Sequence, residues 1–502
     1  MAANGWSLDF NSDYYAWQRL LDIWMSQGHA HAWISEDLFP TRFPLYLLLD
    51  LVGIEGHRGV VVASMLLTVG AGLAFASAFL VSGDVSRPLR ARSVAALALT
   101  VAWTPAAWAS AGFFTYSDGF LLNPNSRPLE LGLAVLAVAW IDREAAARPW
   151  RWDWRAALIV VALAFLWLSD PFVLYLVGIP AAVVAAFDLL VAAHRRIAGS
   201  VVALVLASGL LSWLARQALG IFDVTAVPVA GGHRYTTSLG DVPDRARHVF
   251  DALATLLGIS GSNLTASSAD DLVLAWLRLG VVVLAVAGAV CVVRSWSRSS
   301  LLARTLLVAV VADLMVVTGT NIFRDPNVVV GRYLTVALVG IMGLAVIAIE
   351  RLPGRVSIAG GAIVSVLIVG VIITSAVSWY DDRNADPVAE HVALDHDLAQ
   401  LRWHRVYGSY FFAIRQDQVD DAIRWVTVDC SRNGTLRLTH FNNDSAVLRG
   451  SSRTIAVALE PTLGCTVDDL GRVYGAPTDV ITVDGVRFAE WTPAPKRLVT
   501  LR

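Results

Sequence analysis

The stretch LVLAWLRLGVVVLAVAGAVCVV at residues 272–293 is apolar almost without interruption. As a helix rising 1.5 Å per residue it is about 33 Å long, and a bilayer core is about 30 Å thick. Working outward, 60–82, 172–193, 197–215, 333–350 and 357–379 read the same way. The stretches 93–111 and 305–319 are acceptable, and 129–141 and 156–168 are short and need flanking residues or tilt. That makes about ten transmembrane helices. The interruptions are polar and rich in Gly and Pro, as loops are. Composition agrees: of 502 residues, 56% are hydrophobic and 16% charged, against about 25% charged in a soluble domain. A soluble enzyme, a disordered chain and a nucleic-acid binder are excluded. A formal net charge of −2 gives no polybasic signal.

Charge is unevenly spread. Residues 380–502 are about 25% charged and residues 1–379 about 13%, the first matching a soluble domain. The fold class expected is mainly α. A polytopic membrane domain, 1–379, carries outer loops 1–59 and 216–271, and a small extracytoplasmic α/β domain, 380–502, comes after it.

Arg placement orients the chain, because cytoplasmic loops are enriched in Lys and Arg. Loops 83–92, 142–155, 194–196, 294–304 and 351–355 hold 14 Arg, while the alternate loops 112–128, 169–171 and 320–332 hold three. The first set is read as cytoplasmic. Every alternate loop fits, and deleting either short helix would invert the side of every later loop. Both ends then lie outside. Nothing at Met1 resembles an export signal, so a first transmembrane helix is expected before Met1; translocation of the N-terminal tail without a signal is the alternative.

In the outer domain, 388–403 and 415–425 read as helices, the second on Val419, Ile423 and Val426. Strands are expected at 434–440, 453–459 and 478–491, with Asp484–Gly485 as a hairpin turn. Cys430 and Cys465 both fall here and are expected to form a disulfide, free buried thiols being the alternative. Cys291 belongs to a membrane helix as a small apolar residue. No His/Cys spacing suggests zinc.

Ionisable residues cluster at the outer boundary. In LDFNSDYYAWQRLLDIW, Asp9 and Asp13 precede Trp17, Leu20, Leu21 and Trp24 at helical spacing. Asp13 is either an N-cap or a base or metal ligand at the surface. In YSDGFLLNPNSRPLELG, Asp118, Arg127 and Glu130 come just before an apolar helix, where an acid is costly unless paired; a structural Arg127–Glu130 pair is the competing reading. Asp170 in WLSDPFVLY sits in a tight turn, which Ser-Asp-Pro suits without any function. Arg324 and Arg332 lie outside against the positive-inside trend, and Arg42 in PTRFPLYLLL joins them. Guanidinium groups beside the bilayer suit bidentate bonds to a lipid-linked phosphate.

This layout resembles the GT-C membrane glycosyltransferases, the fold of the protein mannosyltransferase and aminoarabinose-transferase group. Those enzymes carry a catalytic Asp in a long outer loop after the first helix. Here NSDYYAWQRLLDIWMSQGHAHAW followed by FPLYLLLDLVGIEG stands in that place. GRYLTVAL is similar to the Arg-Tyr opening a late helix, and WHRVYGSYFFAIRQDQVDDAIRWVTVDC to the tail of many actinobacterial members. The pattern departs in lacking the first helix and in having Tyr14 and Tyr15, not an acid, after Asp13. The resemblance implies inverting transfer of a sugar, hexosyl or pentosyl, in the cell envelope. The donor is a polyprenyl-phosphate sugar held in the lipid bilayer, and the acceptor a glycan, lipid or protein. Asp13, with Asp9 beside it, would be catalytic, and the arginines would hold the departing phosphate. Arg42, Asp118, Arg127, Glu130, Asp170, Arg324 and Arg332 are the substrate-binding candidates. The cofactor stays open: Mg or Mn is the divalent cation to consider, yet no full carboxylate cage is present. The rivals are a transporter or flippase of lipid-linked sugars and a non-catalytic scaffold whose outer domain binds a partner. Transporters usually carry internal repeats, and none shows in the hydropathy.

The topology predicts that single cysteines at Ser35 and Ser451 both react with an impermeant thiol reagent in intact cells. Protection of either one refutes it.

Overall fold

The computed structural model describes residues 21, 34–35, 39–54, 56–82, 95–96, 99, 128–147, 153–170, 173, 177–190, 195–221, 226–227, 235–265, 269–321, 334–351, 354–355, 358–366, 369–370, 389–401, 403, 405–409, 412–413, 416, 423–431, 433–438, 454–460, 463–494 and 499–500. The protein is mostly helical, with thirteen α-helices among these residues and a small C-terminal sheet. It divides into two units. One holds 64–218 and 228–381; the other holds 2–63, 219–227 and 382–502.

The first unit is a helical bundle. In chain order the helices of both units up to residue 351 are α1 (Phe39–Leu51), α2 (Gly56–Val81), α3 (Pro128–Ala147), α4 (Trp154–Ser169), α5 (Ile179–Leu189), α6 (Arg195–Ile221), α7 (Val242–Leu256), α8 (Gly261–Leu264), α9 (Ala269–Arg294), α10 (Leu301–Gly319) and α11 (Thr335–Arg351). Among the described residues, three stretches are long and apolar enough to cross a membrane: Ala198–Leu219, Leu272–Arg294 and Leu301–Gly319. The two short runs of the sequence are helices that extend into their flanks, as α3 and α4. Residues 93–111 fall largely outside the described residues; of 357–379, residues 358–366 and 369–370 are described and are helical.

The outward faces are apolar. On α9, Val273, Trp276, Val283, Val286, Val290 and Val293 are exposed at helical spacing, and α10 exposes Val311 and Met315. A soluble monomer rarely shows so much contiguous apolar surface. By contrast, α11 is buried from Thr335 through Ala348. A helix apolar all round belongs in a core. It reaches α9 and α10 at backbone range, because Gly288 of α9 abuts the Leu344 carbonyl and Gly340 of α11 abuts Val310. A Cβ at either glycine would overlap its neighbour. Small residues allow such close approach between membrane helices.

Hydrogen bonds at the helix ends sort the loops into two groups. In one, Asp142 Oδ1 accepts from the Leu301 N–H at 3.0 Å, Arg155 pairs with Glu144 at 3.2 Å, and Arg304 pairs with Asp188. Arg351 donates there to Ser295 and Ser299, at 3.1 and 2.8 Å. In the other, Ser169 meets Glu130, Thr237 bonds the end of α10, and strands β3 (Tyr235–Thr236) and β4 (Thr320–Asn321) pair antiparallel. Helix starts are capped: Asp153 accepts from the amides of Arg155 and Ala156, and Ser300 from that of Ala303. Each such cap is worth about 1 kcal/mol.

The second unit contains strands β1 (Ile34–Ser35) and β2 (Ala226–Val227), paired parallel, helix α12 (Ala389–Gln400) and a seven-stranded sheet. Its strands are β5 (Arg405–Gly408), β6 (Arg424–Cys430), β7 (Leu436–Leu438), β8 (Ile455–Ala458), β9 (Asp479–Val483), β10 (Val486–Trp491) and β11 (Val499–Thr500). The spatial order is β11-β7-β6-β5-β8-β10-β9. Central β5 runs parallel to both β6 and β8. Both faces are covered. Val406, Trp425, Ala456 and Phe488 pack with Leu394 and Leu398 of α12. Their chain neighbours Tyr407, Val426, Val457 and Ala489 pack on the other face with Leu470 of helix α13 (Val467–Tyr474).

Reading 415–425 as one helix is corrected: the chain is strand from Arg424. A strand buried on both faces loses its alternation of apolar and polar residues, so Ile423 and Val426 fall at helical spacing and imitate a helical stripe. Helix 388–403 is α12, ending at Gln400. The three expected strand regions hold β7, β8 and the β9–β10 hairpin. Asp484 and Gly485 form its turn with φ of 46° and 79°, the positive pair that a type I′ turn requires.

Cys430 and Cys465 form a disulfide, with Cα atoms 5.9 Å apart. It ties the end of β6 to the start of α13, where Thr466 and Asp469 form a reciprocal capping box. Thr466 holds the Asp469 carboxyl below its ordinary pKa, first through the side-chain hydrogen bond. That part of the cap is therefore present at neutral pH and is lost as pH falls through the lowered pKa.

The disulfide closes a loop of about 36 residues, worth about 4 kcal/mol in the chain-entropy treatment. Replacing both cysteines by Ser should bring forward the urea midpoint of the sheet unit in the full-length protein. An unchanged midpoint would contradict that contribution.

Candidate functional site

Three of the sequence candidates lie among the described residues. Glu130 is the third residue of α3, and Asp170 caps the C-terminus of α4. Both are fully buried, as is Ser169 between them. The Ser169 hydroxyl donates to Glu130 Oε1 at 3.5 Å. The turn at Asp170 is shaped by its own amide, which bonds the Leu166 carbonyl at 2.8 Å, and by its carbonyl, which accepts from Val173 at 3.0 Å. Two acids far apart in sequence thus gather where one helix starts and the next ends.

Trp167 adds a donor. It is buried, and its indole N–H meets no acceptor among the described residues. The opposite edge of its ring faces Gly209 of α6, which leaves the N–H edge turned away from that helix. Lying three residues before Asp170, Trp167 shares its side of the last turn of α4.

Arg42 belongs to the second unit. It is buried on α1 one turn from buried Tyr46. Burial raises the Tyr46 phenol above its ordinary pKa, and the Arg42 charge opposes that. Asp9, Asp13, Asp118, Arg127, Arg324 and Arg332 lie outside the described residues. Among the described residues no group of three or more His, Cys, Asp and Glu could hold a metal ion.

Sequence reasoning missed Asp313. It lies within the candidate span of α10 and is buried, and its Oδ2 accepts the Ala337 N–H at 2.8 Å. Ala337 is the third residue of α11, whose first amides have no partner in their own helix. A single acid inside an apolar run was the available signal. Arg278 of α9, buried against Gly258, carries the same signal. Arg245 of α7 was missed too. Its Nε donates to the Val317 carbonyl at 3.3 Å and its Nη2 to that of Thr320 at 3.4 Å, while burial lowers its pKa.

No family model matches this chain, and no curated protein is similar to it.

Asp313→Leu strands the Ala337 amide in the core, at a cost of about 1–3 kcal/mol, and should lower Tm in detergent by several degrees. Asp313→Asn keeps an acceptor and should lose less. Equal losses would show that charge, not the hydrogen bond, matters there.

Proposed function

We propose that the protein is a membrane glycosyltransferase that moves a sugar from a polyprenyl-phosphate donor to an acceptor on the outer face. One observation carries the reading: Glu130, Ser169 and Asp170 are buried together at helix ends within an apolar bundle. Acids kept in such surroundings are expensive and mark functional sites by default. Trp167, one turn earlier on α4, adds a buried indole N–H with no acceptor among the described residues, a donor that a hydroxyl-rich ligand could satisfy. The two groups of helix-end bonds match the two sets of loops in the Arg alternation, which supports the proposed topology of about ten spans. Under it, Glu130 and Asp170 face outward, as do Thr237 and Arg245.

In this reading Asp13 is the general base on the acceptor hydroxyl. Glu130 and Asp170 orient the sugar, and outer arginines stabilise the charge developing on the phosphate. Any Mg or Mn would be held by Asp13 and its neighbours.

A transporter of lipid-linked sugars is the second reading. Asp313 and Arg278, buried within candidate spans, favour it, because ionisable groups inside spans also line transport paths.

The purified protein in vesicles should transfer sugar from a polyprenyl-phosphate donor to acceptor. Asp13→Asn should lower the rate by about 10²–10⁴-fold and leave the fold intact, since Asn caps a helix about as well as Asp. Full activity of that variant refutes Asp13 as base. Translocation of the lipid-linked sugar without any transfer would favour the transporter.

A further inference from the structure

The segment between α6 and α9 exposes apolar side chains at a defined depth. Thr237 donates its amide to the Gly319 carbonyl at 3.0 Å and its hydroxyl to the Thr318 carbonyl at 2.8 Å. Thr236 pairs with Thr320, and Arg245 grips the carbonyls of Val317 and Thr320. All these acceptors lie at the C-terminal end of the candidate span Leu301–Gly319. Residues 235–245 are therefore fixed at the level where α10 leaves the bilayer core.

Leu239 is two residues from Thr237, within about 7 Å of chain. It tops a turn closed by the Ser238 hydroxyl on Asp241 at 2.6 Å, and it is 93% exposed. A turn tip in water has no use for a leucine.

Helix α7 continues the pattern with three faces. Arg245, Val249, Leu253 and Leu256 are buried. Pro243, Arg247 and Phe250 are exposed on one stripe, with Phe250 at 58%. Asp244 and Asp251 lie about a quarter turn from that stripe, at 100° per residue, and are exposed. Trp213 on α6 and Trp276 on α9, at 55% and 57% exposure, stand near the ends of the flanking spans. Aromatic rings gather at membrane–water boundaries.

We propose that Ser238–Leu256 lies in the headgroup layer of the outer leaflet, with Leu239 and Phe250 inserted to the acyl boundary and Arg247 on lipid phosphate. The proposal rests on the reading that α10 spans the membrane. The occupant is lipid rather than protein because Thr237 and Arg245 hold the segment at the C-terminal end of α10, the level at which that span leaves the bilayer core. Its acidic flank, a quarter turn round the helix, is also exposed and would meet water at the edge of the headgroup layer.

Nitroxide labels on single cysteines test it, in a Cys291→Ser background with the Cys430–Cys465 bond oxidised. The full-length protein is reconstituted in phosphatidylcholine–phosphatidylglycerol vesicles. Labels go at Leu239, Phe250, Asp251 and, as the depth control, Val311 of α10. Collision with oxygen, which concentrates among acyl chains, is compared with collision with a water-soluble nickel chelate. Val311 should favour oxygen strongly. Leu239 and Phe250 should favour oxygen at a depth of about 5–10 Å below the headgroups, and Asp251 should favour nickel. Nickel preference at Leu239 and Phe250 with Val311 still deep overturns the proposal alone. Exclusion of both reagents there overturns it in favour of a protein contact. Nickel preference at Val311 itself sinks the spanning reading.

Discussion

A backbone amide surrounded by hydrocarbon must find its partner within the protein, and α11 puts that constraint at the centre of the fold. It is buried over nearly its whole length, so neither water nor headgroups can serve its first turn. Asp313 reaches across from α10 to one of those amides. The carboxylate is thereby fixed, and with it the register of α10 on α11. The glycine contacts to α9 and α10 arise from the same burial, since a helix enclosed on all sides leaves little room for side chains between backbones.

The ends of the bundle obey a complementary rule. Polar groups that cannot go to lipid are collected at the helix termini, where Asp188 pairs with Arg304 and Ser295 and Ser299 receive Arg351. Arg304 also lies over the Trp296 ring, 5.7 Å from its centroid. The opposite end gathers Glu130, Ser169 and Asp170. One end thus reads as a structural clamp of matched charges. The other buries two acids at helix ends in an apolar bundle, and the transferase proposal rests on that burial.

Length and hydropathy made α6, α9 and α10 legible, because a span is a property of a window of residues. The hairpin at Asp484–Gly485 was legible because only a few dipeptides accept two positive φ angles in succession. Strands β5 and β6 were not, since burial on both faces erases the period of two; Trp425 and Val426 serve opposite faces although adjacent. Asp313, Arg278 and Arg245 went unread for a different reason. A lone charge in an apolar run marked Asp313 and Arg278, but the contacts these residues make lie far away in sequence, and spacing along the chain carries no trace of them. Glu130 and Asp170 stood out only because an acid at a helix end in apolar sequence is conspicuous by itself. Their meeting was invisible until the helices packed.

The contact of Gly288 with the Leu344 carbonyl also has a mechanical side. Two helices touching backbone to backbone cannot roll about their axes, because any rotation drives a side chain into the space that a hydrogen atom now fills. With Gly340 against Val310 on its other flank, α11 is keyed to both neighbours, and α9, α10 and α11 behave as one stiff plate. If substrate passage requires the bundle to open, the plate cannot bend, and the seam has to lie among the remaining helices. Helix α3 is tied to that plate by Asp142 on the Leu301 amide, and it meets α2 at backbone range where Gly132 abuts the Ala71 carbonyl. Glu130, at the start of α3, would then belong to the fixed wall, and any seam would lie beyond it.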